Sequence, residues 1–117
     1  MNDALLPPAE PGAFEKIRQV ILAIPFGKVA SYGQVARKAG FVRGARTVVW
    51  VLKASVASLP WHRVLRQDGT LAIADPSGRE LQHHLLAAEG VGFTPDQKVT
   101  PEYFFWGFIS KGRAGST

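Results

Sequence analysis

The chain has 117 residues, of which 14 are Lys or Arg, 9 are Asp or Glu and none is Cys, so its formal net charge is +5. The length fits one domain, and a hydrophobic content of 46% is typical of a globular protein and excludes a largely disordered one. The absence of cysteine excludes a disulfide framework, a thiolate metal site and a thiol nucleophile.

Three helices are predicted in the N-terminal half. Apolar residues recur at helical spacing over residues 14–24, and the Pro-Phe-Gly that follows ends this helix. Ser31 is a good N-cap for a second helix over residues 32–39, and a turn over 41–44 leads to a third helix over 45–55. Two short helices joined by about four residues resemble a helix-turn-helix.

The C-terminal half is predicted to contain a β-hairpin and one helix. Apolar residues 64–65 and 71–73 flank a Gln-Asp-Gly-Thr turn, which favours a hairpin. Ser77 is the expected N-cap of a helix over residues 78–89. Three leucines of this helix are expected to face the core: Leu81, Leu85 and Leu86. The rest is irregular, with an aromatic cluster at 103–106, so the fold class is mainly α with a small β-hairpin.

Positive charge is concentrated in one segment of the chain. Ten basic residues and no acidic residue lie between Lys16 and Gln67. A one-signed segment with a periodic apolar pattern favours a folded surface that binds a polyanion, nucleic acid above all. A solvated face that serves only solubility is the alternative that charge alone leaves open.

The chain has no apolar run of membrane-spanning length and no basic N-terminal region followed by an apolar run. We therefore expect no membrane partner and a cytoplasmic location, associated with the nucleoid if the source is bacterial. The expected organisation is a flexible lead over residues 1–12, one DNA-binding domain over 13–108 and a flexible tail over 109–117. We expect this domain to be a monomer.

Common cofactor and metal motifs are missing. No Walker loop occurs, and the Gly-Val-Gly at residues 90–92 is too short for a dinucleotide fingerprint. Glu80, His83 and His84 have a spacing that could hold a metal, but such a set is more often the solvated edge of a helix. We expect no metal, no cofactor and no catalytic residue.

Four motifs taken together are more informative. In chain order they are Pro-Phe-Gly-Lys-Val-Ala-Ser-Tyr-Gly-Gln at 25–34, Arg-Gly-Ala-Arg-Thr at 43–47, Leu-Pro-Trp-His-Arg-Val at 59–64 and Leu-Leu-Ala-Ala-Glu-Gly at 85–90. Their order and spacing resemble the C-terminal domain of O6-alkylguanine-DNA alkyltransferases. Trp61 stands where that family has its alkyl-accepting cysteine, a difference that resembles the alkyltransferase-like proteins. The resemblance implies a winged-helix-like helix-turn-helix domain.

The resemblance also implies roles in extruding a damaged nucleotide. Alkyl groups on guanine O6 lie within the base stack, so the nucleotide must be flipped out to be inspected. Arg46 matches the arginine finger that fills the gap, and Tyr32 matches the tyrosine that pushes on the phosphate flanking the flipped base. Trp61 would wall the lesion pocket, since an indole offers apolar surface but cannot accept the alkyl group as a thiolate would.

The other residues that the resemblance assigns support the loop or contact DNA. His62 and Glu89 match the pair that activates cysteine in the family, and here we expect them to be a hydrogen-bonded pair beneath the lesion pocket. Arg63 matches the arginine of the same loop and is expected to support it. The DNA contact is expected to lie in the minor groove and to include Ser31, Gln34, Arg43, Gly44, Ala45, Thr47 and Lys53.

Two positions depart from the family pattern. Ser55-Val56 replaces an Asn-Pro pair ahead of the reactive loop, and Ala74 stands where some alkyltransferase-like proteins have a damage-sensing arginine. Discrimination of alkylated from unmodified guanine then rests either on Arg79 of the next helix or on the lesion pocket alone.

The function predicted is that of a non-enzymatic sensor of O6-alkylguanine in double-stranded DNA. The resemblance implies that the bound lesion is handed to the damage-recognition proteins of nucleotide excision repair. Two alternatives remain open. One is a sequence-specific helix-turn-helix regulator, and the other is a hydrolytic base-repair enzyme that uses His62 and Glu89.

Overall fold

The computed structural model describes residues 12–41, 43–54, 58–71, 73 and 75–107. Its elements are α1 (Ala13–Leu22), β1 (Ala30–Ser31), α2 (Tyr32–Lys38), α3 (Ala45–Ala54), β2 (Val64–Leu65) and α4 (Pro76–Ala88), with short 3-10 turns at Trp61–Arg63 and Pro101–Tyr103. The mainly α class is confirmed. None of these four helices has the length and hydropathy that a membrane span requires. Apart from Gly12, the predicted lead and tail lie outside the described residues.

The first three helices begin where local sequence predicts and pack against one another. The Ser31 hydroxyl accepts the Gln34 N–H at 3.1 Å, and the Gln34 side chain accepts the Ser31 N–H at 3.0 Å. This reciprocal capping box confirms Ser31 as the N-cap of α2. The core between the helices is aliphatic and includes Ile17, Ile21, Val35, Val48 and Val51. This core is called the first apolar cluster.

The predicted β-hairpin is wrong in its pairing. β2 pairs with β1 in parallel, with Ala30 opposite Val64 and Ser31 opposite Leu65. The turn between Arg66 and Thr70 does form, but residues 71 and 73 that follow it are not in a strand. A parallel pair needs a long crossover connection, which α2 and α3 supply. Two apolar residues before a turn and three after it are too few to fix a strand partner on their own.

The aromatic cluster near the C-terminus completes the same layer. The Val29 N–H donates to the Tyr103 carbonyl at 2.8 Å, and the Phe105 N–H donates to the Val29 carbonyl at 2.9 Å. Phe104 is buried on the Leu65 side of the sheet. It belongs to a second apolar cluster, which also contains Val29, Leu65, Leu86, Val91 and Val99. Within the aromatic cluster Phe104 packs across the domain, whereas Phe105 stays exposed.

α4 differs from the prediction at its start and in its buried face. Asp75, not Ser77, is the N-cap, since its carboxylate accepts the Gly78 N–H at 2.9 Å. Leu81 is 49% exposed, whereas Gln82 is 1% exposed. The Gln82 amide donates to the His62 and Val64 carbonyls at 3.1 Å each, so the helix places a donor where the preceding loop needs one. α4 thereby holds the loop of Trp61.

Candidate nucleic-acid interface

The Trp61–Arg63 turn is fastened to the end of α4 by one carboxylate. Glu89 Oε2 lies 2.7 Å from His62 Nε2 and 2.8 Å from an Arg63 guanidinium nitrogen. Its other oxygen accepts the Gly27 N–H at 2.8 Å and Arg63 Nε at 3.0 Å. The hydrogen bond expected between His62 and Glu89 is present, and all of these donors converge on a side chain that is 8% exposed.

This network sets the charge state of Glu89. Burial by itself would raise the pKa of the carboxyl group, but hydrogen bonds from Arg63, His62 and the Gly27 N–H outweigh it and lower the pKa to about 2. Glu89 is therefore ionised at neutral pH, and each of its oxygens already has donors. A carboxylate in this state is a weak base.

The Arg63 guanidinium is used inside the domain. Besides Glu89, its guanidinium donates to the Ile24 carbonyl at 2.9 Å and lies over the Phe26 ring, 5.8 Å from the centroid. These contacts join the loop to the end of α1. They are what the loop-supporting role predicted for Arg63 requires.

Trp61 opens the turn and is half-buried. Its ring meets the His62 imidazole edge to face, with centroids 6.0 Å apart and planes at 82°. Since His62 is fixed by Glu89, the indole rests on an anchored neighbour. An apolar wall for a flipped base remains a prediction for this residue.

A surface cavity lies against α4, away from the lesion pocket that was predicted at Trp61. It has a volume of about 880 Å³ and is lined by residues of α4 and of the loops facing it, among them Arg79, Glu80, His83, His84 and Asp96. Neither Tyr32 nor Trp61 lines it. Its His83 ring stacks on Phe93 at 4.0 Å, which gives that histidine a packing role. No group of three His, Cys, Asp or Glu side chains in the described part of the chain is arranged to hold a metal ion.

α3 presents a basic outer face. Arg46 and Lys53 are exposed, with half-buried Val49 and Trp50 between them at helical spacing, whereas Val48 and Val51 are buried. Val49 and Trp50 were not among the predicted DNA contacts, and they lie three and four residues from Arg46 on the helix.

The turn between α2 and α3 exposes some of the predicted contacts and buries others. Arg43 and Ala45 are exposed beside Arg46. Gly44 is buried, and a Cβ on it would lie 2.8 Å from the Phe41 Cβ and 3.1 Å from the Ala36 Cβ. Glycine is therefore needed here for close packing of the turn against α2, whatever it does toward DNA.

The side chains of Ser31, Gln34 and Thr47 do not face solvent. They are 3%, 6% and 6% exposed. Those of Ser31 and Gln34 are used by the capping box, and the Gln34 amide also donates to the Gly107 carbonyl. In this conformation these side chains lie inside the domain, so a contact of the three residues with DNA stays a prediction that would have to use their backbone.

Tyr32 is half-buried at the start of α2 and packs against the first apolar cluster. Burial raises the pKa of its hydroxyl, and the charge of Arg66 opposes that rise. Tyr32 is therefore a neutral hydrogen-bond donor at physiological pH. Arg66, which the sequence analysis did not select, lies close enough to act on it.

The two departures from the family pattern cannot be compared in structure. Ser55-Val56 and Ala74 lie outside the described residues. Arg79, the alternative damage-sensing residue, donates from Nε to the Ile73 carbonyl at 3.0 Å and faces the cavity on α4.

Comparison with known proteins identifies sequence relatives of this chain. A sequence model of the DNA-binding domain of 6-O-methylguanine DNA methyltransferase matches residues 13–91. The DNA base-flipping protein of Escherichia coli is 36% identical over 96 residues, which cover 80% of this chain and 74% of that protein. Alkyltransferase-like protein 1 of Schizosaccharomyces pombe is 37% identical over 81 residues, covering 67% and 75%.

A solved structure gives the same result for the fold. The S. pombe alkyltransferase-like protein in complex with damaged DNA containing O6-carboxymethylguanine superposes with a TM-score of 0.70 at 32% sequence identity. The alignment covers 84% of this chain and 98% of that one. The helix-turn-helix, the two-stranded sheet and α4 are thus arranged as in a domain that was crystallised on damaged DNA.

Proposed function

Because the chain belongs to the family of the DNA-binding domain of 6-O-methylguanine DNA methyltransferases, we propose that it is a non-enzymatic sensor of O6-alkylguanine in duplex DNA. In this proposal it binds the minor groove, flips the damaged nucleotide and holds the base against Trp61. The lesion is then flagged for nucleotide excision repair.

One observation carries the proposal. The loop at Trp61–Arg63 is built and fastened as a reactive loop would be, by His62, Arg63 and Gln82, yet its first residue is an indole. The chain has no cysteine anywhere that could accept an alkyl group. A rigid loop that presents an apolar surface supports recognition of the alkyl group without its transfer.

The surface charge supports DNA as the partner. Arg43, Arg46 and Lys53 are exposed along one side of α3 and the turn before it. Contacts of this kind bind phosphates without reading sequence, which suits a protein that must examine any site. Arg46 is the finger proposed to enter the stack, and Tyr32 is the side chain proposed to displace the flanking phosphate.

Glu89 is unsuited to be the general base of a hydrolytic reaction, so in such an enzyme that role would fall to His62. A general base has to accept a proton, and this carboxylate has a pKa of about 2 and is saturated with donors. The pair therefore supports the loop in this proposal. A monomer that recruits repair proteins through its bound complex completes the proposed role. The relatives named as base-flipping and alkyltransferase-like proteins support the base-flipping step of this role.

The test is a paired titration. Matched duplexes with guanine, O6-methylguanine and larger O6-alkylguanines are titrated with the protein at several salt concentrations. We expect tighter binding to each lesion duplex and an affinity that falls steeply with salt. Equal affinity for lesion and plain duplexes, together with preference for one sequence, would instead indicate a regulator.

Chemistry is tested on the same complexes. The lesion duplex is incubated with protein and digested to nucleosides, which are then quantified. We expect full recovery of the O6-alkylguanine nucleoside. Loss of the lesion over repeated turnovers would indicate the hydrolytic enzyme.

A further inference from the structure

The parallel register of the short sheet places two chemically useful residues side by side. Ser31 lies opposite Leu65 in the pairing of β1 with β2. Tyr32 and Arg66 come directly after these paired residues, Tyr32 as the first residue of α2 and Arg66 as the first residue beyond β2. The end of the sheet therefore brings together two residues that are 34 positions apart in sequence.

The Tyr32 side chain lies beside the end of the sheet. Ala30 and Val64, the first paired residues of the two strands, both belong to the first apolar cluster. Tyr32 does pack against the same cluster, and the charge of Arg66 acts on its hydroxyl.

Arg66 is exposed and its positive charge is not neutralised by a neighbour. Among the described residues no carboxylate lies within ion-pairing distance of it. Asp68 is the nearest acid in sequence, but its carboxylate accepts the Thr70 N–H at 3.0 Å and the Thr70 hydroxyl at 2.7 Å. The guanidinium is thus available to an outside anion.

The backbone that carries Arg66 is fixed. The Arg66 N–H donates to the Thr70 carbonyl at 3.1 Å, and the Gly69 N–H donates to the Arg66 carbonyl at 2.9 Å. A further hydrogen bond holds this turn, because the Val99 N–H donates to the Gly69 carbonyl at 2.9 Å. Arg66 therefore projects from a rigid base beside a rigid neighbour.

We propose that the Arg66 guanidinium and the Tyr32 hydroxyl form one phosphate-binding clamp, which grips the DNA backbone next to the extruded nucleotide. A guanidinium offers two parallel donors to phosphate oxygens, and the phenol adds a third from an adjacent position. This inference rests on the proposed function and extends it. Arg66 becomes a residue that holds the displaced backbone, in addition to the arginine finger that fills the stack.

The clamp is tested by combining protein and DNA changes. Binding of wild type, R66Q and R66K is measured on O6-methylguanine duplexes with native phosphates and with a neutral methylphosphonate at either flank of the lesion. We expect R66Q to weaken binding to the native duplex about tenfold, as for loss of one charge-assisted contact. R66K keeps the positive charge but lacks the two parallel donors of a guanidinium. Its affinity should therefore lie between those of R66Q and wild type.

The decisive observation is that wild type and R66Q bind one of the two methylphosphonate duplexes with the same affinity. If the clamp grips one flanking phosphate, a methylphosphonate there weakens wild type but adds nothing to R66Q. K28Q is the matched control, because Lys28 carries the same charge in the same acid-free segment and donates to the Glu102 carbonyl at 3.5 Å. Its effect should be about twofold and the same on every duplex.

The outcomes separate this inference from the proposed function. A wild-type protein with no preference for the lesion duplex would overturn the proposed function and the clamp with it. A clear preference in wild type, with R66Q behaving as K28Q or losing affinity equally on all three duplexes, would overturn the clamp alone. Thermal unfolding of each variant confirms that the exposed substitutions leave the fold intact.

Discussion

The Glu89 carboxylate accepts the Gly27 backbone N–H at 2.8 Å across 62 positions of sequence. The same carboxylate binds His62 and Arg63, so it joins the connection after α1, the loop before β2 and the end of α4. These contacts fix the position of the Trp61–Arg63 loop. Their first test is therefore one of stability.

Glu89→Gln should destabilise the fold by about 3 kcal/mol, because it leaves the half-buried guanidinium of Arg63 without its anion. The free energy of unfolding in urea gives the value. Glu80→Gln is the control, since Glu80 is exposed on the same helix and should change stability by less than about 0.5 kcal/mol. Equal effects of the two substitutions would show that the network is not stabilising.

The stability difference between wild type and Glu89→Gln should depend on pH. Folding lowers the pKa of Glu89 from an ordinary 4.5 to about 2, so the folded state favours the ionised form. The stabilisation is therefore complete above pH 4.5 and is lost as the pH falls toward 2. Unfolding curves across this range should converge at low pH, and curves that stay parallel would contradict the assignment.

Gly69→Ala should destabilise the turn that carries Arg66. Gly69 has φ +93°, and a Cβ there would lie 2.6 Å from the Val99 carbonyl oxygen. Gly40→Ala is the control, because Gly40 has φ +97° but no atom within 4 Å of its Cβ position. Gly40→Ala should cost about 1 kcal/mol and Gly69→Ala clearly more, as measured by thermal unfolding.

Trp61→Ala should reduce the preference for alkylated over plain DNA about tenfold, because the flipped base loses an aromatic wall. Binding to the plain duplex should change little. Lys53→Gln provides the contrast, since an exposed cation on α3 should weaken both complexes alike. A preference that survives in Trp61→Ala would disprove the proposed pocket.

Arg46→Ala should weaken lesion binding by about 1 kcal/mol or more, in the range of a lost stacked or charged contact. It should also reduce nucleotide flipping, which a 2-aminopurine reporter next to the lesion measures by fluorescence. Lys53→Gln should weaken binding without changing the fluorescence of the saturated complex. An unchanged signal in saturated Arg46→Ala would remove this residue from the role of the finger.

Local features of the fold were predictable because local interactions decide them. The capping box of Ser31 and Gln34 needs only residues three apart, and it sets the start of α2 as predicted. The apolar spacing over residues 14–24 likewise predicted α1, which spans Ala13–Leu22. The turn at Gly69 formed as its sequence indicated, although the strand partner did not.

The errors concern choices that distant parts of the chain make. The pairing of Val64 with Ala30 depends on the crossover through α2 and α3, which no pair of adjacent residues reveals. Gln82 replaces Leu81 on the buried face because two carbonyls of the Trp61 loop need donors there. Ser77 lost the helix cap to Asp75, two residues earlier.

By itself the sequence determined the chemistry that this protein lacks. A chain without cysteine, with Trp61 ahead of His62 and Arg63, has no thiolate to accept an alkyl group. Only the tertiary structure decided what the retained residues do, because the donors on Glu89 come from three separate segments. The adjacency of Tyr32 and Arg66 was decided in the same way, since a strand register is a long-range property that neither residue encodes in its own neighbourhood.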